Sequence, residues 1–259
     1  ARPIPQVRAG FIDFVDIPFT KGWVQIKGEL AYGKFMDNDF LRDHYNYYNQ
    51  YITTDALYHH KSISFRSNPD KPFVVTIGAE LAAQFGGTKR YYEKGILIDS
   101  LTMKSPTRLK DFFKILFPSS GDGQTNEGDQ AYYYGNHVGQ WNLSAEYRFK
   151  DNSSVRGYFE WYFDDASGMG KFNGWDGLWG LEYKSGKKNW LSNVVLEYLD
   201  MTNQSGPLNW CPSDYNDPKL DIEATGADDY YNNYFYNGWA HYGLSNGTAM
   251  AKSLLYNTD

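Results

Sequence analysis

The 259-residue chain lacks several features that mark common classes of protein. It has a single cysteine, Cys211, so no intrachain disulfide can form and a small disulfide-stapled scaffold is excluded. No run approaches roughly 18 consecutive apolar residues, which excludes a helical membrane protein. Acidic residues outnumber basic ones by 31 to 25, and the net charge of −6 offers no positive field to a nucleic acid. We therefore expect no nucleic-acid partner.

Signatures of the common catalytic and metal sites are also missing, since no HExxH, GxSxG or P-loop pattern occurs. His59 and His60 are adjacent, and on a strand they point to opposite faces, so they cannot both bind one metal ion. We therefore predict that the chain is not an enzyme and has no catalytic residue, no metal and no cofactor.

Two alternatives to that prediction stay open. The acidic, glycine-containing stretch "DGQTNEGD" offers Asp122, Asn126 and Asp129 as oxygen ligands for calcium, although it lacks the EF-hand spacing. Asp164 and Asp165 suggest the paired carboxylates of a glycosidase. Adjacent acids do not by themselves give the required separation of about 5–9.5 Å across a substrate, so other acids would have to contribute.

The chain is instead rich in aromatic residues, which make up 18% of it, and much of it alternates between apolar and polar residues. In "PFVVTIGAELAAQF" one face carries Phe73, Val75, Ile77, Ala79, Leu81, Ala83 and Phe85, and the other carries Thr76, Glu80 and Gln84. The stretches "WVQIKGELAY", "GQWNLSAEYRF" and "VRGYFEWYF" alternate in the same way. Less regular candidates cover about 6–15, 57–66, 178–184 and 190–199. The pattern predicts antiparallel strands with one apolar face each.

The connections between these strands are alternately short and long. Short ones such as "SNPDKP", "KDNSS" and "SGKKN" separate long ones at about 36–56, 86–137, 164–177 and 200–237. This alternation is typical of an up-and-down transmembrane β-barrel, which has short periplasmic turns and long extracellular loops. A Greek-key sandwich has no reason to follow it.

Strand length points the same way. Phe73 and Phe85 bracket an aliphatic face, and twelve residues of strand span about 40 Å, or about 28 Å at a tilt of about 45°. That height matches the apolar band of an outer-membrane barrel. Charged residues on the other face, such as Lys27 and Glu29, then have to face a wet lumen. We predict an all-β antiparallel transmembrane barrel, with residues 1–259 in one domain; a soluble β-sandwich is the alternative.

One helix is predicted inside the longest loop, in "SPTRLKDFFKILFP". Ser105 is the expected N-cap, Pro106 the first helical residue, and Pro118 the stop signal. The apolar stripe of this helix needs a surface to pack against. Either the barrel mouth or neighbouring loops would supply it.

The long loops carry many aromatic and amide side chains and few charges, as in "DDYYNNYFYNGWAHYGLSNG". Such residues suit polysaccharide, because rings stack on the apolar faces of sugars while amides and phenols bond to their hydroxyls. The predicted binding residues are Tyr230, Tyr231, Asn233, Tyr234, Tyr236, Trp239, Tyr133, Tyr134 and Trp175. Two other interpretations remain: the rings form a core for the loops themselves, or some of them, including Trp239 and Tyr242, belong to an aromatic girdle.

Stretches spread over most of the chain resemble the Wzi capsule-assembly family of outer-membrane proteins. They are "HHKSISFR", "GDQAYYYGNHVGQW", "RGYFEWYFDDASGMG", "DGLWGLEYKS" and "YYNNYFYNGWAHYGLSNG". The resemblance implies a monomeric barrel in the outer membrane of a Gram-negative bacterium, in contact with its lipid. It also implies a lectin-like role, in which the protein holds capsular or other surface polysaccharide.

The chain departs from the family pattern in extent. A family member closes with about eighteen strands, whereas roughly eight or nine are predicted here, with no N-terminal signal and no aromatic closing strand. We therefore expect further strands, from more of the same chain or from other chains, to complete the barrel. Two other functions are kept as alternatives: a soluble or surface-anchored carbohydrate-active protein, acting as a binding module or hydrolase, and a transport barrel.

Overall fold

A computed structural model of the chain describes residues 3–126, 129–130, 133–164, 169, 174–187, 190–202, 230 and 233–245. In chain order its strands and helices are β1 (Gln6–Asp16), β2 (Val24–Lys34), α1 (Phe40–Tyr45), β3 (Gln50–Thr54), β4 (Leu57–Ser67), β5 (Phe73–Phe85), β6 (Thr88–Glu93), β7 (Ile96–Leu97), β8 (Met103–Lys104), α2 (Leu109–Leu116), β9 (Asn136–Arg148), β10 (Ser154–Asp164), β11 (Gly177–Lys184), β12 (Asn193–Asp200), β13 (Ala240–His241) and β14 (Leu244–Ser245). A turn of 3-10 helix occupies Asp99–Leu101.

Eight of these strands form one antiparallel sheet in the order β1-β2-β4-β5-β9-β10-β11-β12. Each main strand pairs with the next main strand along the chain, as in an up-and-down meander. The all-β antiparallel fold predicted from the alternation is therefore confirmed. Among the described residues β1 and β12 do not pair with each other, so the sheet is open.

The connections follow the predicted short and long alternation. Residues 17–23, 68–72, 149–153 and 185–192 join strands at one end of the sheet, and 35–56, 86–135 and 165–176 join them at the other. Most of the predicted loop 200–237 lies outside the described residues. The placement of the long connections on the cell exterior remains a prediction.

The register gives the sheet one apolar face. Directly opposed residues of antiparallel neighbours share a face, and one such row crosses all eight strands. It contains Val15, Ile26, Phe65, Ile77, Leu143, Phe159, Trp179 and Tyr198. A second row towards the short connections contains Phe73, Tyr147, Val155, Tyr183 and Val194. We call this side of the sheet the apolar face.

The opposite side, the polar face, carries mainly hydrogen-bonding groups. The row next to the central apolar one contains Asp16, Gln25, Arg66, Thr76, Ser144, Tyr158, Gly180 and Glu197. Its members bond across strands: the Gln25 Nε2 amide donates to Asp16 Oδ1 at 2.9 Å, and Arg66 Nη2 donates to Gln25 Oε1 at 2.6 Å. Tyr158 donates its phenolic proton to Glu197. Cross-strand pairs of this kind stabilise a sheet and suit a water-filled space.

The two faces differ in accessibility in an unusual way. On the apolar face Ile77 and Leu181 are about half exposed, at 49% and 52%. On the polar face Ser64 and Glu182 are buried, at 7% and 9%. A soluble sandwich buries its apolar face against a second sheet. In the described part of this sheet the centre of that face is exposed instead, while its end near the long connections is covered, with Ala83 and Phe85 fully buried.

Aromatic residues lie near both ends of the apolar face. Near the short connections, the Tyr147 and Phe149 rings are 5.0 Å apart between centroids. Towards the long connections, Trp141 and Trp161 are 6.4 Å apart, and Trp175 lies 5.5 Å from Trp179. Aromatic residues near both ends of a face are typical of membrane barrels, although here the central row between them also contains Phe65, Phe159, Trp179 and Tyr198.

The long connections fold into a separate layer over one end of the sheet. Strands β3, β6, β7 and β8 form a small antiparallel sheet there, and β13 pairs with β14. We call these elements, with α1, α2, the other described residues of 35–56 and 86–135, and residues 233–245, the loop layer. The loop layer supplies core side chains of its own, including Phe35, Leu41 and Ile115. Pattern reading found neither the small sheet nor α1, because their strands and helix are too short to show a period.

Residues 240–245 belong to the loop layer and not to the main sheet. They form the hairpin of β13 and β14, two residues in each strand, bonded to the connection between β2 and β4. The Tyr242 backbone N–H donates to Met36 O at 2.8 Å, and His241 Nδ1 accepts from the Met36 N–H at 3.0 Å. These long-range bonds hold the segment in the loop layer.

The predicted helix exists, but its start differs. α2 begins at Leu109 with Arg108 as N-cap, so the prediction of Ser105 as N-cap is wrong. The Asp111 carboxylate accepts the Arg108 backbone N–H at 2.7 Å, whereas Ser105 donates its N–H to Gly87 O at 3.0 Å. The helix ends before Pro118, as predicted. Within the described ranges no helix has the length and apolar character needed to cross a membrane.

Candidate functional site

A pocket of about 450 Å³ opens on the polar face, towards the end of the sheet that carries the long connections. Its polar lining comes from β4, β5, β9 and β10 together with the loop residue Tyr230. The lining side chains used below are those of His60, Glu80, Gln140, Tyr162 and Tyr230. Glu80, Gln140 and Tyr162 share one cross-strand row, so the register of the sheet brings them together.

The polar groups of the pocket hold one another in place. His60 lies between two carboxylates, with Nδ1 3.3 Å from Glu29 Oε1 and Nε2 3.8 Å from Glu80 Oε2. The Gln140 amide donates to Asn142 Oδ1 at 2.9 Å. Side chains fixed by their neighbours present donors and acceptors at set positions, which favours recognition of a hydroxyl-rich ligand.

Two tyrosine rings add an aromatic wall to the pocket. The Tyr162 and Tyr230 rings meet edge to face, with centroids 6.3 Å apart. Tyr230 donates its phenolic proton to Asp176 Oδ2 at 3.0 Å, and Asp176 is fully buried. Aromatic walls combined with a few directed polar groups are the usual composition of a sugar site.

A second cluster of rings lies on the loop layer and is centred on Tyr51. The Tyr51 ring contacts Tyr91 and Tyr234 edge to face, at centroid distances of 5.1 Å and 5.3 Å. Tyr234 is 66% exposed, while Tyr51 is buried beneath it. We call Tyr51, Tyr91 and Tyr234 the tyrosine cluster. It offers an accessible ring on a rigid base.

The other residues predicted for polysaccharide binding lie in different surroundings. Tyr134, Tyr236 and Trp239 are buried in the core of the loop layer. Asn233 accepts the backbone N–H groups of Phe235 and Tyr236 at 3.0 Å and 3.1 Å, and so holds a turn. In this conformation a sugar does not reach the three buried rings.

The remaining predicted residues are scattered. Trp175 is 69% exposed and lies beside Trp179 of the apolar face, away from the polar-face pocket. Tyr133 is half-buried, and Tyr231 lies outside the described residues. The alternative that placed Trp239 in the aromatic girdle is wrong, because this ring is 3% exposed and packs on Phe35. The structure thus brings Tyr230 to the pocket and Tyr234 to the tyrosine cluster.

The three residues suggested as calcium ligands, Asp122, Asn126 and Asp129, bond to other protein groups in the structure. Asp122 faces Lys110, Lys114 and Arg108. Asp129 is buried and accepts from the Asn126 amide at 2.6 Å. In the part of the chain that the structure describes, no group of three or more histidine, cysteine or acidic side chains is placed to hold a metal ion. The second member of the proposed acid pair, Asp165, lies outside that part.

Asp129 forms a buried ion pair that connects three segments of the loop layer. The fully buried Lys89 Nζ is 3.6 Å from Asp129 Oδ2 and lies over the rings of Phe235 and Tyr236, 4.4 Å and 4.7 Å from their centroids. Burial lowers the pKa of Lys89 and raises the pKa of Asp129. Cation–π contact and the opposite charge offset part of the lost hydration.

Asp122 is the centre of an ion cluster, and its acid dependence is testable. Lys110 and then Arg108 hold the pKa of Asp122 well below its usual range. Because the folded pKa lies below the unfolded value of about 3.9, the stability from this cluster is present above about pH 4 and is lost as pH falls further. We expect the protection of the α2 amides from hydrogen exchange, relative to the intrinsic rate at each pH, to fall over that acid range, and Asp122→Asn to lower it already at neutral pH. An equal exchange rate in Asp122→Asn and wild type at pH 7 would contradict this role.

Sequence reading missed His60, Glu80, Gln140 and Tyr162 as members of one site. The sequence pattern predicts a strand at each of these residues, and the alternation predicts that Glu80, Gln140 and Tyr162 lie on the polar face. What was missing was the cross-strand register, which aligns Glu80 with Gln140 and Gln140 with Tyr162. Turn length sets the register of β9 and β10, so pairing these strands through the short turn 149–153 would have aligned Gln140 with Tyr162. The long connection 86–135 between β5 and β9 sets no such register, so the place of Glu80 in the row was not predictable in this way.

Comparisons of this chain with protein-family models, with curated proteins and with solved structures gave no match.

Proposed function

We propose that the chain forms part of the wall and the outer loops of an outer-membrane β-barrel of the Wzi capsule-assembly type. In this proposal the barrel binds capsular or other surface polysaccharide at the cell exterior of a Gram-negative bacterium. The observation that carries the proposal is the exposed apolar row that crosses all eight strands, backed by a polar row on the other face.

Lipid is the solvent that suits the apolar face. Soluble monomers rarely expose an apolar patch larger than a few hundred Å², and here Phe65, Ile77, Leu181 and Leu196 are each 42% to 69% exposed. In a bilayer these side chains contact acyl chains, which removes the free-energy cost of exposing them to water. The polar face, with its buried carboxylates and amides, then faces the barrel interior.

Closure of the barrel requires partners for β1 and β12. Unpaired backbone N–H and C=O groups at a sheet edge are costly in a bilayer, because no water is present to bond with them. We propose that further strands, from the same polypeptide or from another chain, pair with both edges.

Polysaccharide binding is supported by the pocket and by the tyrosine cluster. Both lie towards the end of the sheet that carries the long connections, and both combine rings with directed polar groups. The pocket presents Gln140 and Tyr162 at fixed positions, and the cluster presents the exposed Tyr234 ring. Neutral donors and rings of this kind recognise sugar hydroxyls and sugar faces.

Substitutions in the two sites test the binding role. We expect Gln140→Leu and Tyr234→Ala each to lower cell-bound polysaccharide by about fivefold to tenfold, the usual loss when an interface anchor is removed. Barrel abundance in the outer membrane should not change. Tyr47→Ala is the matched control, since Tyr47 is an exposed loop tyrosine outside both sites. Wild-type levels of bound polysaccharide in the Gln140→Leu/Tyr234→Ala double variant would remove both sites from the proposal.

Transport is the second candidate function, and the charged polar face favours it. Arg66, Glu80, Glu160 and Glu182 all belong to that face. Conductance across a planar bilayer separates the two functions. Polysaccharide binding with no steady conductance supports the first, whereas steady pores that pass small solutes support transport.

A further inference from the structure

Helix α2 packs against the apolar face and not over the polar one. The Tyr32 ring on the apolar face lies 5.3 Å from Phe112, and Tyr32 donates its phenolic proton to Phe112 O at 3.3 Å. Phe112 also meets Phe85 edge to face at 5.3 Å, and Ile115 is fully buried in the same cluster. One side of α2 is thus fixed to the sheet beside the long connections.

Another side of α2 is apolar and open. Leu109, Phe113 and the C-cap residue Phe117, which follow one another at intervals of four residues, are 76%, 56% and 69% exposed. Residues four apart lie on one side of a helix. This exposed stripe extends the apolar surface of the sheet onto the helix.

Two carbonyl groups at the end of α2 accept hydrogen bonds from a lysine of the sheet. The Lys61 ammonium group, from the apolar face of β4, donates to Ile115 O at 2.8 Å and to Leu116 O at 2.5 Å. The last carbonyls of a helix have no partner within the helix, and their desolvation is costly in an apolar medium. Lys61 supplies the bonds that water cannot supply beside lipid.

The polar side of α2 carries cations. Arg108, Lys110 and Lys114 surround Asp122, and Arg108 also pairs with Asp111, so three cations face two carboxylates. The remaining charge is positive, and Lys110 is more than half exposed. A helix with an apolar stripe beside a basic side suits a membrane surface with phosphate-bearing headgroups.

We propose that α2 is an interfacial anchor, whose Leu109, Phe113 and Phe117 side chains enter the boundary between lipid headgroups and acyl chains. The inference rests on the proposed membrane location of the sheet. It adds that the loop layer is held at a set height by lipid contact as well as by protein contact. An apolar helical face of this kind is buried about 5–10 Å into that boundary.

Depth-dependent fluorescence quenching tests the anchor. Single cysteines replace Phe113, Ile77 or Tyr47 in the full-length protein with Cys211→Ser, and each carries an environment-sensitive fluorophore. The protein is reconstituted in vesicles of phosphatidylethanolamine and phosphatidylglycerol containing lipids with a shallow or a deep spin label. We expect the shallow quencher to reduce the fluorescence of the label at 113 about twofold more than that of the label at 47. The label at 77 should respond most to the deep quencher.

The three positions separate the possible outcomes. Quenching at 77 and at 113, with little at 47, supports the anchor. Quenching at 77 without quenching at 113 overturns the anchor and leaves the membrane proposal intact. Absence of quenching at 77 overturns the proposed function itself, and the anchor with it.

Discussion

The Leu143→Lys variant is expected to lose about 2–4 kcal/mol of folding free energy in lipid and to be depleted from the outer membrane. Leu143 lies in the central row of the apolar face, between Ile77 and Phe159 on the neighbouring strands. A lysine there places a charge against the acyl chains. Equilibrium unfolding in lipid vesicles and abundance in the outer-membrane fraction measure the two effects.

Its matched control is Asn142→Lys, one residue away on the polar face. Asn142 lies opposite Glu160, and its Nδ2 is 3.5 Å from Glu80 Oε1, so a lysine there gains acidic neighbours but loses the bond that Gln140 donates to Asn142. We expect a loss of at most about 1.5 kcal/mol, the contribution of one hydrogen bond. Were Leu143→Lys harmless while Asn142→Lys destabilised the protein, the assignment of the two faces to lipid and lumen would be reversed.

The second large effect is expected at the buried pair of Lys89 and Asp129. Lys89→Met leaves the Asp129 carboxylate buried without its cation, and removing one partner of such a pair costs about 3–5 kcal/mol. Phe235 and Tyr236 also lose the cation over their rings. We expect the segment at 233–245 to separate from the rest of the loop layer while the main sheet stays folded. Limited proteolysis and hydrogen exchange of that segment report the loss.

The double variant Lys89→Met/Asp129→Leu serves as the control for that experiment. Apolar residues of similar volume replace both charges, which is often neutral for stability. Most of the protection of the segment at 233–245 should therefore return. A double variant as exposed as Lys89→Met would mean that the lysine acts through packing and not through charge.

The strands were predictable because each has one apolar and one polar face. β5 at Phe73–Phe85 has the predicted bounds, and the starts of β9 and β12 differ from prediction by two and three residues. A period of two is a local property of the backbone, so a single strand displays it without its neighbours. The short connections were also predictable, because they contain glycine, proline and asparagine residues.

The positions of the loop rings were not predictable in the same way. Tyr134, Tyr236 and Trp239 serve as core residues of the loop layer, whereas Tyr234, two residues before Tyr236, is exposed. A polar aromatic loop has the same composition whether its rings contact sugar or one another. The difference is made by bonds across more than 180 residues, such as Asn237 to Thr53, which no local pattern contains.

Fractionation of the full-length protein shows whether the apolar face is in contact with lipid. Cells producing the full-length protein are separated into soluble periplasm, inner membrane and outer membrane, and the outer-membrane fraction is extracted with urea to remove peripheral proteins. If the apolar face is in contact with lipid, we expect folded protein that stays in the outer membrane after extraction. Recovery of the folded full-length protein in the soluble periplasm would contradict that contact.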